Sequence, residues 1–206
     1  MPIAASVVEP APAIRRDPEG TRQRILNAAL TEFAGRGFAG ARIQSIARRA
    51  GVNARMLYHY FGEKEDLYRA IRRRRFAEHP VQPEADLQPL AAQMAGWFAN
   101  VAANPDWVRL NEWESLEAGE RPVVEEEERR RRWAVAVQRL RAQQAAGLLV
   151  DDLDADLLML VMVALTTFPV AFPPMVRMIT GLSPGDRRFQ RRYRAFLQTL
   201  SDRLTP

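Results

Sequence analysis

No stretch of this chain alternates apolar and polar residues with period two. Nearly every apolar segment instead recurs at intervals of three and four, the spacing of one helix face. Glycines and prolines cut that pattern into short pieces. The combination confines the chain to an all-α fold of about nine helices.

The punctuation gives the expected helices. The first covers 18–34, with Asp17 as N-cap, Pro18 at the first helical position and Gly35 and Gly37 as its stop. Ile25, Leu26, Ala29, Leu30 and Phe33 form its buried stripe. A short helix over 43–50 turns Ile43, Ile46, Ala47 and Ala50 inward. Gly51 makes a turn, Val52 plugs the core, and Asn53 caps a third helix over 54–61 that ends at Gly62. A fourth covers 63–78, and Pro80 and Pro83 mark a hinge. Further helices are expected over 84–103, 105–118, 123–146, 154–168 and 183–204. The last has Pro184 at its first position and Asp186 as a capping-box acid. No repeat of solenoid length occurs.

Composition narrows the chemistry. With 206 residues and 47% hydrophobic content the chain can bury a real core. It has no cysteine, which excludes disulfides, Cys-ligated zinc and thiol nucleophiles together. His59 and His79 are the only histidines, so no metal site is expected. There is no Gly-rich phosphate loop and no Ser/His/acid arrangement, so neither a cofactor nor a catalytic group is expected. The acids Glu112, Glu114 and Glu117 read as helix-surface carboxylates. Glu125 to Glu128 precede Arg129 to Arg132, four i,i+4 pairs on a solvated, self-paired face.

Charge is uneven. The net charge is +5, yet residues 1–80 carry 15 basic and 8 acidic side chains while 81–206 carry 15 and 17. A basic amino-terminal part on a slightly acidic remainder fits a polyanion-binding module joined to another unit. Residues 1–17 read as a flexible arm and not as an export signal, so the cytoplasm is the expected location. Residues 157–176 are uncharged for 20 positions, the length of a membrane span. Pro169, Pro173 and Pro174 interrupt them, which favours a buried helix and no membrane.

The second and third helices with their glycine turn form a helix-turn-helix, whose second helix enters the major groove of DNA. Leu57 and Phe61 face inward. Ala54, Arg55, Met56, Tyr58 and His59 point elsewhere. In a groove, Arg55 can pair with guanine and Met56 can touch a thymine methyl. Tyr58, His59 and Tyr60 have polar tips that reach phosphates. Lys64 lies at the start of the fourth helix, where free backbone N–H groups favour a phosphate. Arg42, Gln44 and Asn53 complete the candidate DNA-binding set.

Residues 21–67, TRQRILNAALTEFAGRGFAGARIQSIARRAGVNARMLYHYFGEKEDL, resemble the DNA-binding domain of the TetR/AcrR family of transcriptional regulators. The matching pieces are Ile25-Leu26 through Phe33, Gly37-Phe38, Ile46-Ala47, Ala50-Gly51-Val52, and Leu57 through Phe61 followed by Lys64-Glu65 and Leu67. The resemblance implies a dimeric, all-helical regulator, usually a repressor released from a palindromic operator by a small molecule. An activator, or a DNA-binding regulator without an effector, is the alternative; an enzyme using the helical cavity is the remote one. Two departures stand out. The family often has Thr or Ser at the start of the second helix, where this chain has Gly40-Ala41-Arg42, so Arg42 takes the phosphate contact and the cap is lost. Small residues are frequent where Arg55 and Met56 stand.

The domain plan that follows is an arm over 1–17, a DNA-binding domain over 18–64 and an effector-binding and dimerisation domain over 65–206. Candidate effector contacts are Met94, Trp97, Phe98, Trp107, Leu110, Asn111, Trp113, Glu114, Met162 and Phe168. Candidate dimer contacts are Leu158, Val161, Leu165, Phe189, Tyr193, Phe196, Leu197 and Leu200, which resemble the family's four-helix interface.

Overall fold

The computed structural model describes residues 17–79 and 88–206. The expected amino-terminal arm and the hinge prolines Pro80 and Pro83 lie outside the described residues, Asp17 excepted. Among the described residues there are ten helices and no strand: α1 (Pro18–Gly40), α2 (Ile43–Ala50), α3 (Ala54–Phe61), α4 (Lys64–Glu78), α5 (Leu90–Ala103), α6 (Pro105–Ala118), α7 (Glu126–Ala145), α8 (Ala155–Ala171), α9 (Pro173–Thr180) and α10 (Arg187–Asp202).

Several expected boundaries move, each for a local reason. α1 continues past Gly35 to Gly40, broken only at Gly37, whose φ of 68° and ψ of 177° no other residue adopts readily. Gln88 and Pro89 are not helical, so α5 starts at Leu90. α7 starts at Glu126 because Glu125 sits in the left-handed region, with φ 59°. Asp186 is itself the N-cap of α10, accepting from the Arg188 N–H, so Pro184 lies outside that helix. The tenth helix, α9, fills the segment expected to be a proline-rich break.

α8 also runs through Pro169. Proline has no N–H to give the carbonyl four residues back. That carbonyl belongs to Leu165, and the Tyr193 hydroxyl of α10 donates to it at 2.7 Å. A side chain from the neighbouring helix therefore replaces the missing bond.

Two cores result. In the amino-terminal head, Ile25, Leu26 and Phe33 pack on Ile46, Leu57, Leu67 and Ile71, all at most 1% exposed, and Leu110 of α6 joins them. In the body, Met94 and Phe98 pack on Leu140, Met162 and Leu197 at the same level of burial. Burying each such side chain contributes about 1.5–3 kcal/mol. Since Leu110 completes the head core, the head is closed by the body, and α1 packs more extensively on α6 than on any other helix.

The Glu/Arg block departs from simple self-pairing. Glu126 does pair with Arg130, at 3.0 Å. Glu125, displaced off the helix face, reaches Arg73 of α4 at 2.9 Å, and Arg129 reaches Glu114 of α6 at 2.7 Å. The start of α7 is thus tied to α4 and α6.

No single helix among the described residues is long and apolar enough to cross a membrane; only α8 and α9 taken together pass that test, and they bend by 88°.

Candidate nucleic-acid interface

α3 has eight residues, and its two sides are sharply divided. Asn53 caps it, accepting from the Met56 N–H at 2.8 Å, and Gly62 ends it at φ 78°. Leu57 is fully buried, and Ala54, Tyr60 and Phe61 are half-buried against the head core. Arg55, Met56, Tyr58 and His59 are exposed. At roughly 100° per residue these four cover one unbroken arc of about 160°. The reading side chains of the candidate set therefore share a surface, while Ala54, expected to point outward, braces the helix together with Tyr60. Arg22 lies over the Phe61 ring at 5.2 Å, adding a further cation beside that helix.

α2, the first helix of the motif, has no cap from its own N-terminal side chain, as its sequence implies. The substitute is Glu32 of α1, only 4% exposed. Its carboxylate accepts from the Arg42 N–H at 3.4 Å and from the Ser45 hydroxyl at 2.9 Å. A carboxylate there also complements the positive end of the α2 dipole. Arg42 and Gln44 are left exposed, together with Arg48 and Arg49, which the sequence reading did not single out. Two consecutive exposed arginines at the end of an apolar-faced helix were the available signal.

At the start of α4, where Lys64 is expected to meet a phosphate, the helix end carries its own capping acids. Asp66 accepts from the Glu63 N–H at 3.2 Å, and Glu63, Glu65 and Asp66 make that helix end acidic. Lys64 turns back instead, over the Phe38 ring at 4.8 Å and onto the Ala39 carbonyl at 3.3 Å. It fastens α4 to the end of α1.

A second tie crosses the same junction. Beyond the Gly37 kink, the Phe38 and Ala39 N–H groups both donate to the Glu117 carboxylate of α6, each at 3.1 Å. Behind it lies a buried hub. Arg72, 1% exposed, falls on the inward face of α4 with Leu67, Tyr68 and Ile71. Its guanidinium donates to Glu114 at 2.8 Å, to Asn111 at 2.6 Å and to the Tyr68 hydroxyl at 2.9 Å. Tyr68 in turn donates to Glu114 at 3.1 Å. Burial raises the Tyr68 phenol above its ordinary range, against the opposing pull of Arg72. An arginine in register with an apolar stripe was the signal for this hub.

The ten candidate effector contacts do not converge on one cavity. Met94, Phe98 and Met162 are body core, and Leu110 is head core, because each sits on the inward stripe of its helix. Trp97 packs on the body core, and Trp113 and Phe168 are partly exposed on different helices. Asn111 and Glu114 serve the Arg72 hub. Trp107, with the Arg72 guanidinium 4.6 Å from its ring, lines a cavity of about 420 Å³.

The dimer candidates split similarly. Leu158, Phe189 and Leu197 are buried within their own chain, so they present no face to a partner. Leu165, Tyr193 and Leu200 are half-buried, and Val161 and Phe196 are exposed. The exposed stripe of α8 is Leu157, Leu160, Val161, Ala164 and Phe168, at helical spacing and one position out of phase with the expected one.

A short two-helix unit with an exposed polar-aromatic reading face, on a larger helical body, defines a helix-turn-helix transcriptional regulator. The family model described as "Bacterial regulatory proteins, tetR family" matches residues 25–71, and that described as "Tetracyclin repressor-like, C-terminal domain" matches residues 89–203. The chain belongs to the TetR family. It is 34% identical to the HTH-type transcriptional repressor SCO4008 of Streptomyces coelicolor over 170 residues, 81% of this chain and 86% of that protein. It is 32% identical to the repressor NicS of Pseudomonas putida over 146 residues, 65% of this chain and 68% of that protein. The solved structure of the regulator SCO4942 from Streptomyces coelicolor aligns with a TM-score of 0.74 and 28% identity, covering 90% of this chain and 98% of that one.

Proposed function

We propose that this DNA-binding transcriptional regulator is a homodimeric repressor that holds a pseudo-palindromic operator in the cytoplasm until a small molecule releases it, and that it acts by binding and not by catalysis. The observation that carries the reading is the exposed α3 face of Arg55, Met56, Tyr58 and His59, set on a buried Leu57 and a capped first turn. In this reading the face enters the major groove, with Arg55 on a guanine and Met56 on a thymine methyl. Arg42, Gln44 and the Asn53 amide contact the flanking backbone, and Tyr60 and Ala54 hold the reader in place. The α8 stripe with Phe196 joins two protomers, placing the two readers about 34–36 Å apart or a multiple of it.

The test is competition gel shift with the chain's own promoter duplex. Arg55→Ala is expected to relax discrimination at one base position by about 1–3 kcal/mol, roughly 5- to 150-fold. Unchanged preference among single-base variants of the site sinks the assignment of this arginine.

A further inference from the structure

The 420 Å³ cavity lies where head meets body, between α1, α4 and the corner joining α5 to α6. Gln23, Asn27 and Leu30 come from α1, Ile71, Arg74, Arg75 and Glu78 from α4, and Asn104 and Trp107 from the corner. We propose that it is a binding site for a small, flat monocarboxylate, anchored on Arg75.

The charge balance points to one negative group. Arg74 is already served: its guanidinium donates to Asn27 at 2.7 Å and Gln23 at 3.2 Å and pairs with Glu78 at 3.5 Å. Arg75 is not. Its one side-chain partner is the neutral Asn100, at 2.8 Å, and among the described residues it forms no ion pair. It is half-buried, and burial lowers its pKa; Glu78 on the same cavity partly opposes that shift but pairs with Arg74, so a desolvated cation faces the cavity with no ion-pair partner of its own among the described residues. Asn100 and the Trp107 ring, 5.4 Å away, fix the guanidinium plane. A fixed planar fork with unused donors matches a carboxylate's two oxygens and loses little entropy on binding. Leu30, Ile71 and Trp107 supply an apolar wall, and the amides of Gln23, Asn27 and Asn104 a polar rim. The volume falls within the usual range for small-molecule sites.

An occupant would touch α1 of the head and α4 at once. Its regulatory consequence rests on the repressor reading, but its binding does not. The experiment uses the full chain at fixed ionic strength, with 2-naphthoate and its neutral isostere 2-naphthamide as probes, read by isothermal titration. The acid is expected to bind with a Kd below about 1 mM and at least tenfold tighter than the amide. Arg75→Met removes the anchor, and the exposed Asn27→Asp places a fixed negative charge in the cavity without changing its volume. Each is expected to cost the acid at least tenfold, and Asn27→Asp to cost the acid at least fivefold more than it costs the amide. Circular dichroism confirms that each variant is folded; if Arg75→Met is not, Asn27→Asp decides alone. Equal binding of acid and amide, no binding of the acid, or full affinity in Asn27→Asp overturns the site. Gel shift on the promoter duplex is a separate arm. Release of DNA by naphthoate in the parent and not in Asn27→Asp supports the regulatory role, and binding without release overturns it. Absence of any DNA binding overturns the repressor reading and leaves the titration to decide the site.

Discussion

The hydroxyl of Tyr193 is the clearest single group on which to test the packing of the body. It donates to the Leu165 carbonyl that Pro169 leaves without its helical partner. Removing one partner of a buried polar pair costs about 1–3 kcal/mol. Leu165 is half-buried, so some water reaches it and the low end applies, about 1.5 kcal/mol for Tyr193→Phe. For a chain of this length that lowers Tm by roughly 3–6 °C. Pro169→Ala restores an N–H at the position that serves Leu165. In that background the carbonyl has an alternative, and Tyr193→Phe should cost only about 0.5 kcal/mol. The expected coupling is therefore about 1 kcal/mol, measured as a double-mutant cycle by urea unfolding at one protomer concentration. If Tyr193→Phe is equally costly in both backgrounds, the two groups do not share the carbonyl and the explanation for a proline inside α8 is wrong.

Gly37→Ala places a Cβ at positive φ and 2.3 Å from Glu117 Oε1. A cost of at least about 1–3 kcal/mol, with weakened DNA binding, is expected from thermal unfolding and gel shift. Leu160→Glu puts a charge on the exposed α8 stripe; analytical ultracentrifugation should show monomers at concentrations where the parent is dimeric. Burial raises the phenols of Tyr68 and Tyr193. The unfolded chain then loses these protons first, at about pH 10, so stability is intact below that value and falls as pH rises through the folded pKa. Urea midpoints between pH 9 and 11 should decline less steeply in Tyr193→Phe than in the parent.

What the sequence disclosed was whatever depends on neighbours along the chain. Asn53 as cap of α3, Gly51 and Gly62 as turns, and the inward Ile46 and Leu57 follow from local chemistry, and the structure has them so. α9 had its signals too, Pro173 at its start and Gly181 in the left-handed region at its end, but a run of only eight residues hid among the prolines. The α8 stripe slipped by one position because every side of that helix is apolar, and only the placement of α5, α6 and α7 against it decides which side faces out. The Glu32 cap, the Tyr193 repair of Pro169 and the cavity around Arg75 join residues remote in sequence. No periodicity carries such pairings.

The grip of Glu117 on two successive amides has a geometric result. Those amides lie past the Gly37 break, on the stretch that leads into α2, so a swing of α6 pulls the reading unit directly as well as through its packing on α1. In a twofold assembly the rotation would carry the two halves in opposite directions across the axis, and the offset between readers would change by up to twice the individual step. A slip of about 1 Å per protomer then becomes up to about 2 Å of misfit against a groove repeat of roughly 34 Å that DNA does not readily alter.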